Sequence, residues 1–245
     1  MSDKTEIVDY EKLLADMAKK TASTERPSSG TINVKSGILS VNGDPVKGNK
    51  LDLIFISSTQ ANLYYDEKYD PNDPKSPVCF AYSEDGENMV PHPASSAPQC
   101  DSCDACPHNR WGSDPDGGRG KACKNTRRLA AVPVPDDVSE IVKCEVAVLA
   151  LPVTSVKEWS NYVNLLAATF ARPPLGMITE LGVEPHMKHQ FHVKFSPKGT
   201  LDVSFLKALM DKAVTCKDLL EKAYDPNPEP SAGGEGVKTK GNKKF

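Results

Sequence analysis

The sequence has no long apolar run, no export signal and no large excess of one charge. Its longest apolar run, residues 146–153, is far shorter than the roughly 18 residues that a membrane helix needs. The start MSDKTEIVDY lacks the basic-then-apolar order of a signal peptide. Thirty basic side chains against 33 acidic ones exclude a polycation that coats any polyanion. We therefore expect a cytoplasmic protein without membrane contact, in which nucleic-acid binding would require a local basic patch.

Sequence motifs that mark enzymes are also missing. Residues 117–121, GGRGK, lack the spacing of a phosphate-binding loop. Asp114 and Asp116 resemble the start of a calcium loop, but Asn125 stands where the bidentate Glu belongs. The sequence has neither a G-x-S-x-G nucleophile turn nor an H-E-x-x-H zinc motif. We therefore predict that the protein is not an enzyme and has no catalytic residues.

Changes in composition divide the chain into three parts. Residues 1–30 join an apolar stripe to a Ser/Thr-rich stretch, which predicts an N-terminal helix and a linker. Residues 31–224 hold nearly all of the apolar periodicity and should form one folded core. Residues 225–245 are rich in Pro, Gly, Glu and Lys and have almost nothing to bury, so we predict a disordered tail.

The periodicity within the core alternates between strand and helix patterns. Apolar residues recur at period two in several short stretches, which predicts strands between residues 31 and 83, at 141–151 and at 189–195. Residues 155–171 have a helical period and begin with a Ser155-x-x-Glu158 capping box. Residues 202–224 repeat the helical period. This mixture favours an α+β fold around a small sheet or barrel.

Four of the seven cysteines fall within 24 residues. Cys100, Cys103 and Cys106 form C-x-x-C-x-x-C, and Cys123 follows after a return loop rich in Pro, Gly and Asp. Thiolates two residues apart can hold one ion, and a second arm completes a tetrahedron around Zn²⁺. We predict a zinc site of these four cysteines, with an iron–sulfur cluster or four free thiols as the alternatives. If one of these four cysteines is not a ligand, Cys79, His92 or His108 could take its place. The apolar pattern around Cys79, Cys144 and Cys216 otherwise predicts that these three cysteines are buried in the core.

The loop held by these cysteines is locally basic. Residues 107–128 carry six Lys or Arg against two Asp, and they include an aromatic ring, Trp111. Cations beside a flat ring suit a phosphate backbone and its bases, whereas a solvated charged face is the alternative. The candidate nucleic-acid contacts in the loop are Arg110, Trp111, Arg119, Lys121, Lys124, Arg127 and Arg128.

Tyrosines interleaved with lysines form a second aromatic cluster in the hairpin region. Tyr64 and Tyr65 are adjacent, so a strand would send one ring to each face. Tyr82 follows on a later strand. Rings on a sheet face are commonly part of the core, but one exposed ring could stack on a base. We therefore add Tyr64, Tyr65 and Tyr82 to the candidate contacts.

The segment CDACPHNRWGS…GRGKACKNTRRLA (103–131) resembles a stretch of bacteriophage single-stranded-DNA-binding proteins. The matching residues are Cys103, Cys106, Pro107, Asn109, Trp111, Gly112, Ser113, Gly120, Lys121, Cys123, Arg127 and Arg128. The resemblance is specific over about 30 residues, and elsewhere only the order of elements is similar to an OB-fold. It implies an OB-type five-stranded β-barrel with flanking helices and a zinc-binding insertion at about residues 91–128. The end of the chain departs from that family, because KTKGNKKF keeps a final aromatic residue, Phe245, but is basic rather than acidic.

We therefore expect a non-enzymatic, sequence-tolerant single-stranded-DNA-binding protein that coats and protects single strands during phage DNA replication or recombination. Its cofactor would be Zn²⁺, and its partners would be single-stranded DNA, replication or recombination proteins, and further copies of itself along the strand. Its location would be the cytoplasm of the host cell. Two alternatives stay open. One is an iron–sulfur or zinc nucleic-acid-processing enzyme subunit, and the other is a zinc-ribbon transcription or assembly factor that acts through protein contacts.

Overall fold

The computed structural model describes Tyr10, Leu14 and Met17, and residues 30–68, 75–187 and 190–224. Its strands are β1 Gly30–Lys35, β2 Ile38–Val41, β3 Asp44–Pro45, β4 Lys50–Tyr64, β5 Cys79–Ser83, β6 Lys124–Pro133, β7 Ala147–Leu151, β8 Met177–His186 and β9 Gln190–Thr200. Its α-helices are α1 Val156–Phe170, α2 Val203–Thr215 and α3 Lys217–Leu220. Short 3₁₀ helices lie at Lys47–Asn49, Pro107–Asn109, Val138–Lys143, Val153–Ser155 and Pro174–Gly176.

In the described residues all nine strands form one sheet, in the order β3-β2-β1-β7-β6-β4-β8-β9, with β5 also paired to β4. The long strand β4 is central. It pairs with β6 along one edge, and along the other edge with β8 near its start and with β5 near its end. The β4–β6 register shifts between Phe55 and Ser57, where a bulge bends the strand and increases its twist.

Each face of the sheet is covered by a different helix. The first core joins the sheet to α1 through Trp159, Tyr162 and Leu166. Leu39 of β2 and Val193 of β9 belong to this same core, although their strands lie near opposite ends of the sheet. The sheet must therefore curl into a half-barrel around α1. The second core packs α2 and α3 against the opposite face of the sheet.

The structure confirms the expected mixed α+β class, and its sheet is a curled half-barrel accompanied by few helices. The sheet is larger than the five strands expected, since the described residues contain nine. The predicted strand at 141–151 was too long, because residues 138–143 form a 3₁₀ helix before β7 begins. Val138, Ile141 and Cys144 all pack into the second core. Their spacing of three residues is the period of a 3₁₀ helix and not the alternation of a strand.

The predicted helix at 155–171 is confirmed as α1, but its predicted capping box is wrong. The Ser155 side chain makes no capping hydrogen bond. Its hydroxyl oxygen instead accepts a hydrogen bond of 3.0 Å from the backbone N–H of Val193 in β9. Ser155 is fully buried, so this bond ties the start of α1 to the sheet. The helical pattern at 202–224 becomes two helices, α2 and α3, which meet at the buried Cys216.

Little of the predicted N-terminal region lies within the described residues. Tyr10, Leu14 and Met17 are helical, as their spacing predicts, and all three side chains are more than half exposed. The predicted linker up to residue 29 and the predicted tail at 225–245 lie outside the described residues. Among the helices that the structure describes, none is long and apolar enough to cross a membrane.

Candidate nucleic-acid interface and metal centre

Five of the seven cysteines line one small cavity. The cavity lies between the ends of β4 and β5 and the irregular segment 84–123, which we call the Cys segment. The thiols around it belong to Cys79, Cys100, Cys103, Cys106 and Cys123, and His108 also lines it. Its volume is about 20 Å³, which is room for one water-sized occupant. The structure therefore brings the four predicted zinc ligands together with a fifth thiol that the sequence pattern assigned to the core.

Backbone hydrogen bonds hold the Cys segment in a compact shape. The Cys103 N–H donates to the Met89 carbonyl at 2.9 Å, and the Cys123 N–H donates to the His108 carbonyl at 2.8 Å. The side-chain amide of Asn109 donates to the Cys103 carbonyl at 3.0 Å. The knuckle around Cys103 and Cys106 is therefore fixed near Cys123, the residue before β6.

The donor set fits a thiolate-binding metal, although the thiols have not converged on one point. Among the described residues, no group of three or more His, Cys, Asp or Glu side chains has the arrangement of a metal site. Burial raises the pKa of the Cys123 thiol to about 12 and also raises the pKa of Cys103. The pKa of Cys100 is raised as well, first by its hydrogen bond to Cys106. A metal bound here would displace thiol protons, so its affinity would increase with pH.

A polar network that no sequence motif indicates joins the Cys segment to the sheet. The Lys121 ammonium donates to the side-chain oxygens of Asn109 and Asn125, at 3.1 and 2.8 Å. The Asn125 amide donates in turn to Asn109 and to Asn62 of β4. Asn62 and Asn125 carry no motif of their own, and only the register of β4 with β6, which pairs them, brings them together. Lys121, predicted as a phosphate contact, is therefore half-buried and already hydrogen-bonded.

Trp111 projects from the Cys segment with 80% of its surface exposed. Its ring is open to solvent and does not pack over the cysteine knuckle. The Lys121 ammonium lies 5.4 Å from the centre of the ring, within range of a cation–π contact. Two further predicted contacts on this segment, Arg110 and Arg119, are exposed. Lys124, the first residue after the segment, is also exposed, and its ammonium donates to the Lys121 carbonyl at 3.0 Å.

The last basic residues of the predicted loop belong to the sheet instead. Lys124 begins β6, so Arg127 and Arg128 are neighbours in a strand and point to opposite faces. Arg127 is half-buried, and burial lowers its pKa. It shares a face with Asn125, two residues earlier, and so lies on the side of the Cys segment.

Arg128 is held within the opposite face of the sheet. Its guanidinium donates to the carbonyls of Leu220 and Lys222, at 2.9 and 2.7 Å. It also lies between two rings, 4.7 Å from the centre of Tyr82 and 4.5 Å from that of Tyr224. The arginine therefore ties the end of α3 to the sheet.

The predicted tyrosines do not form one stacking surface. Tyr64 packs against His108 of the Cys segment, with ring centres 4.3 Å apart. Tyr82 lies on the other face beside Arg128, and its hydroxyl donates to the Lys222 carbonyl. Tyr65 follows the end of β4 and is 37% exposed. The predicted interface thus divides into a group on the Cys segment and an internal cluster around Arg128.

Three comparisons with known proteins give no match. Neither the protein-family models, nor the curated proteins, nor the solved structures contain a significant counterpart of this chain.

Proposed function

We propose that the chain is a non-enzymatic, sequence-tolerant single-stranded-DNA-binding protein. The observation that carries the proposal is the Cys segment, which presents an exposed indole, Trp111, beside exposed cations. A flat ring stacks on any base, and cations follow the phosphate backbone without reading sequence. Duplex bases are already stacked on each other, so such a surface favours single strands.

The proposal includes an OB-type barrel with a zinc-binding insertion. Support for the barrel comes from β4, a bulged 15-residue strand that pairs with β8 at one end and β5 at the other, as a strand shared by two halves of a barrel does. Support for zinc comes from the sulfur donors around one cavity at the base of the Trp111 loop. Zinc would fix the loop and so preorganise its cations and its ring. The hydrogen bond from the Lys121 ammonium to the Asn109 side chain also stabilises the loop.

In the proposed role the protein coats single strands during phage replication or recombination in the host cytoplasm. Replication or recombination proteins and further copies of the chain are the proposed partners. This role is testable because different side chains would supply charge and stacking: the exposed cations would contact phosphates, and the Trp111 ring would stack on a base.

The exposed cations can be tested by the salt dependence of binding. Replacing Arg110, Arg119 and Lys124 together with Ala should lower the magnitude of the slope of log affinity against log salt by about two, at about 0.7 per phosphate contact. Fluorescence anisotropy of dye-labelled oligo-dT at several ionic strengths measures the slope, and this signal does not depend on Trp111. Lys207→Ala is the control, because Lys207 is exposed on α2, over the opposite face of the sheet. An unchanged slope in the triple variant would contradict the proposed phosphate path.

The same titrations should separate Trp111 from the cations. Stacking on a base is worth roughly 1–3 kcal/mol and is almost independent of salt. Trp111→Ala should therefore weaken binding at every ionic strength and leave the slope unchanged, and Trp111→Phe should restore part of the loss.

A further inference from the structure

Cys79 lies on the floor of the thiol cavity. It begins β5 and pairs with Tyr64 at the end of β4. Cys79 lines the cavity together with Cys103, Cys106 and Cys123 of the Cys segment. Ala81, which shares the face of Cys79, packs against Met89 and Cys103. The sheet therefore presents the Cys79 thiol to the knuckle of the Cys segment.

Four of the five thiols around the cavity are buried, and the fifth is partly exposed. Cys79, Cys103, Cys106 and Cys123 are each at most 9% exposed, whereas Cys100 is partly open to solvent. A structural zinc site takes four ligands and is closed to water. The four buried thiols satisfy both conditions, and including Cys100 would leave one buried thiol unused.

The four buried thiols also come from separate anchored positions. Cys79 pairs with Tyr64 on one side of β4, and Lys124, which follows Cys123, pairs with Leu63 on the other side. Cys79 and Cys123 therefore flank the end of β4, and Cys103 and Cys106 of the C-x-x-C knuckle line the same cavity. An ion held by this set would join β5, β6 and the Cys segment.

We infer that Cys79, Cys103, Cys106 and Cys123 are the zinc ligands, and that Cys100 is not required. The inference rests on the zinc site included in the proposed function. It replaces one ligand predicted from spacing alone with a residue that only the pairing of β5 with β4 brings to the site. Zinc would then anchor the Trp111 loop directly to the sheet.

Thiol protection in the unmodified protein tests the inference. The zinc-loaded chain is treated with N-ethylmaleimide with and without a chelator, and each modified cysteine is identified by peptide mass spectrometry. Chelation should speed modification of Cys79 by at least about tenfold and leave the rate at Cys100 nearly unchanged. Cys216 is the internal control, because it is buried away from the cavity. Chelator-dependent protection of Cys100 but not of Cys79 would overturn the inference.

A pair of variants gives a second readout. Zinc content by mass spectrometry should stay near one ion per chain in Cys100→Ser and fall to near zero in Cys79→Ser. Circular dichroism of Cys79→Ser checks that the sheet is intact. Zinc lost from Cys100→Ser and kept in Cys79→Ser would overturn the ligand assignment alone, because poly-dT binding tests the DNA proposal separately. A zinc-free unmodified chain that still binds poly-dT would overturn the inference and leave DNA binding standing.

Discussion

Replacing Cys123 with Ser is expected to reduce bound zinc from about one ion per chain to near zero. Cys123 belongs to both ligand sets considered above, so the expectation does not depend on the choice between Cys79 and Cys100. A structural zinc ion contributes about 10–16 kcal/mol of binding free energy in small zinc domains, and a hydroxyl is a poor substitute for a thiolate. Metal analysis of the purified variant measures the loss.

The Cys123→Ser variant should also become locally sensitive to protease. The Cys segment has few apolar side chains, and without the ion it would depend mainly on hydrogen bonds such as the one from Cys123 to the His108 carbonyl. Cleavage should therefore map to residues 98–123 while the sheet persists. Cys216→Ser is the matched control, since it removes a buried thiol from the second core and not from the cavity. Full zinc occupancy in Cys123→Ser would contradict the proposed metal centre.

Replacing Arg128 with Ala is expected to destabilise the fold by about 2–4 kcal/mol. The change removes two charge-assisted hydrogen bonds to carbonyls and the contacts with two tyrosine rings. For a chain of this size the thermal midpoint should fall by roughly 5–12 °C. Arg119→Ala is the control, because that arginine is exposed and its removal should change stability by no more than about 0.5 kcal/mol.

The salt dependence of DNA binding separates the two roles of Arg128. If the guanidinium stays with its carbonyl partners, Arg128→Ala should leave the slope of log affinity against log salt unchanged at a temperature where the variant is folded. An unchanged thermal midpoint together with a smaller slope would instead place Arg128 at the phosphate backbone.

Some elements follow directly from local sequence patterns. The apolar period of residues 155–171 predicted α1 within one residue at each end, because a helix packed on a sheet needs a continuous apolar stripe. The capping box at its start was wrong for a nonlocal reason. The Ser155 hydroxyl accepts from Val193, 38 residues away, and no pattern around Ser155 indicates that partner.

Other features depend on the sheet topology. Residues 126–133, TRRLAAVP, form part of β6, with Thr126, Arg128 and Ala130 on one face. From the sequence alone, the two adjacent arginines indicated a solvated loop. Arg128 could be recognised as internal only after α3 and Tyr224 were placed on that face. Cys79 is a similar case, since strand alternation predicted its burial and only the position of β5 showed what it is buried against.

The clustering of four cysteines was the part of the site that spacing could predict. They line one cavity because the chain between them is short and turns back through Gly112 and Gly117, both at positive φ. The exposure of Trp111 could not be predicted in the same way, because an indole beside a cysteine knuckle can pack on it or project from it.

A titration of Trp fluorescence with poly-dT and with duplex DNA measures whether the chain prefers single strands. The chain has two tryptophans, and Trp159 is buried in the first core, so a change on binding should come from the exposed Trp111. We expect saturable quenching by poly-dT at low salt, much weaker quenching by duplex DNA, and loss of the signal in Trp111→Phe. Absence of binding to poly-dT at low salt, or equal affinity for both DNAs, would contradict the proposed function.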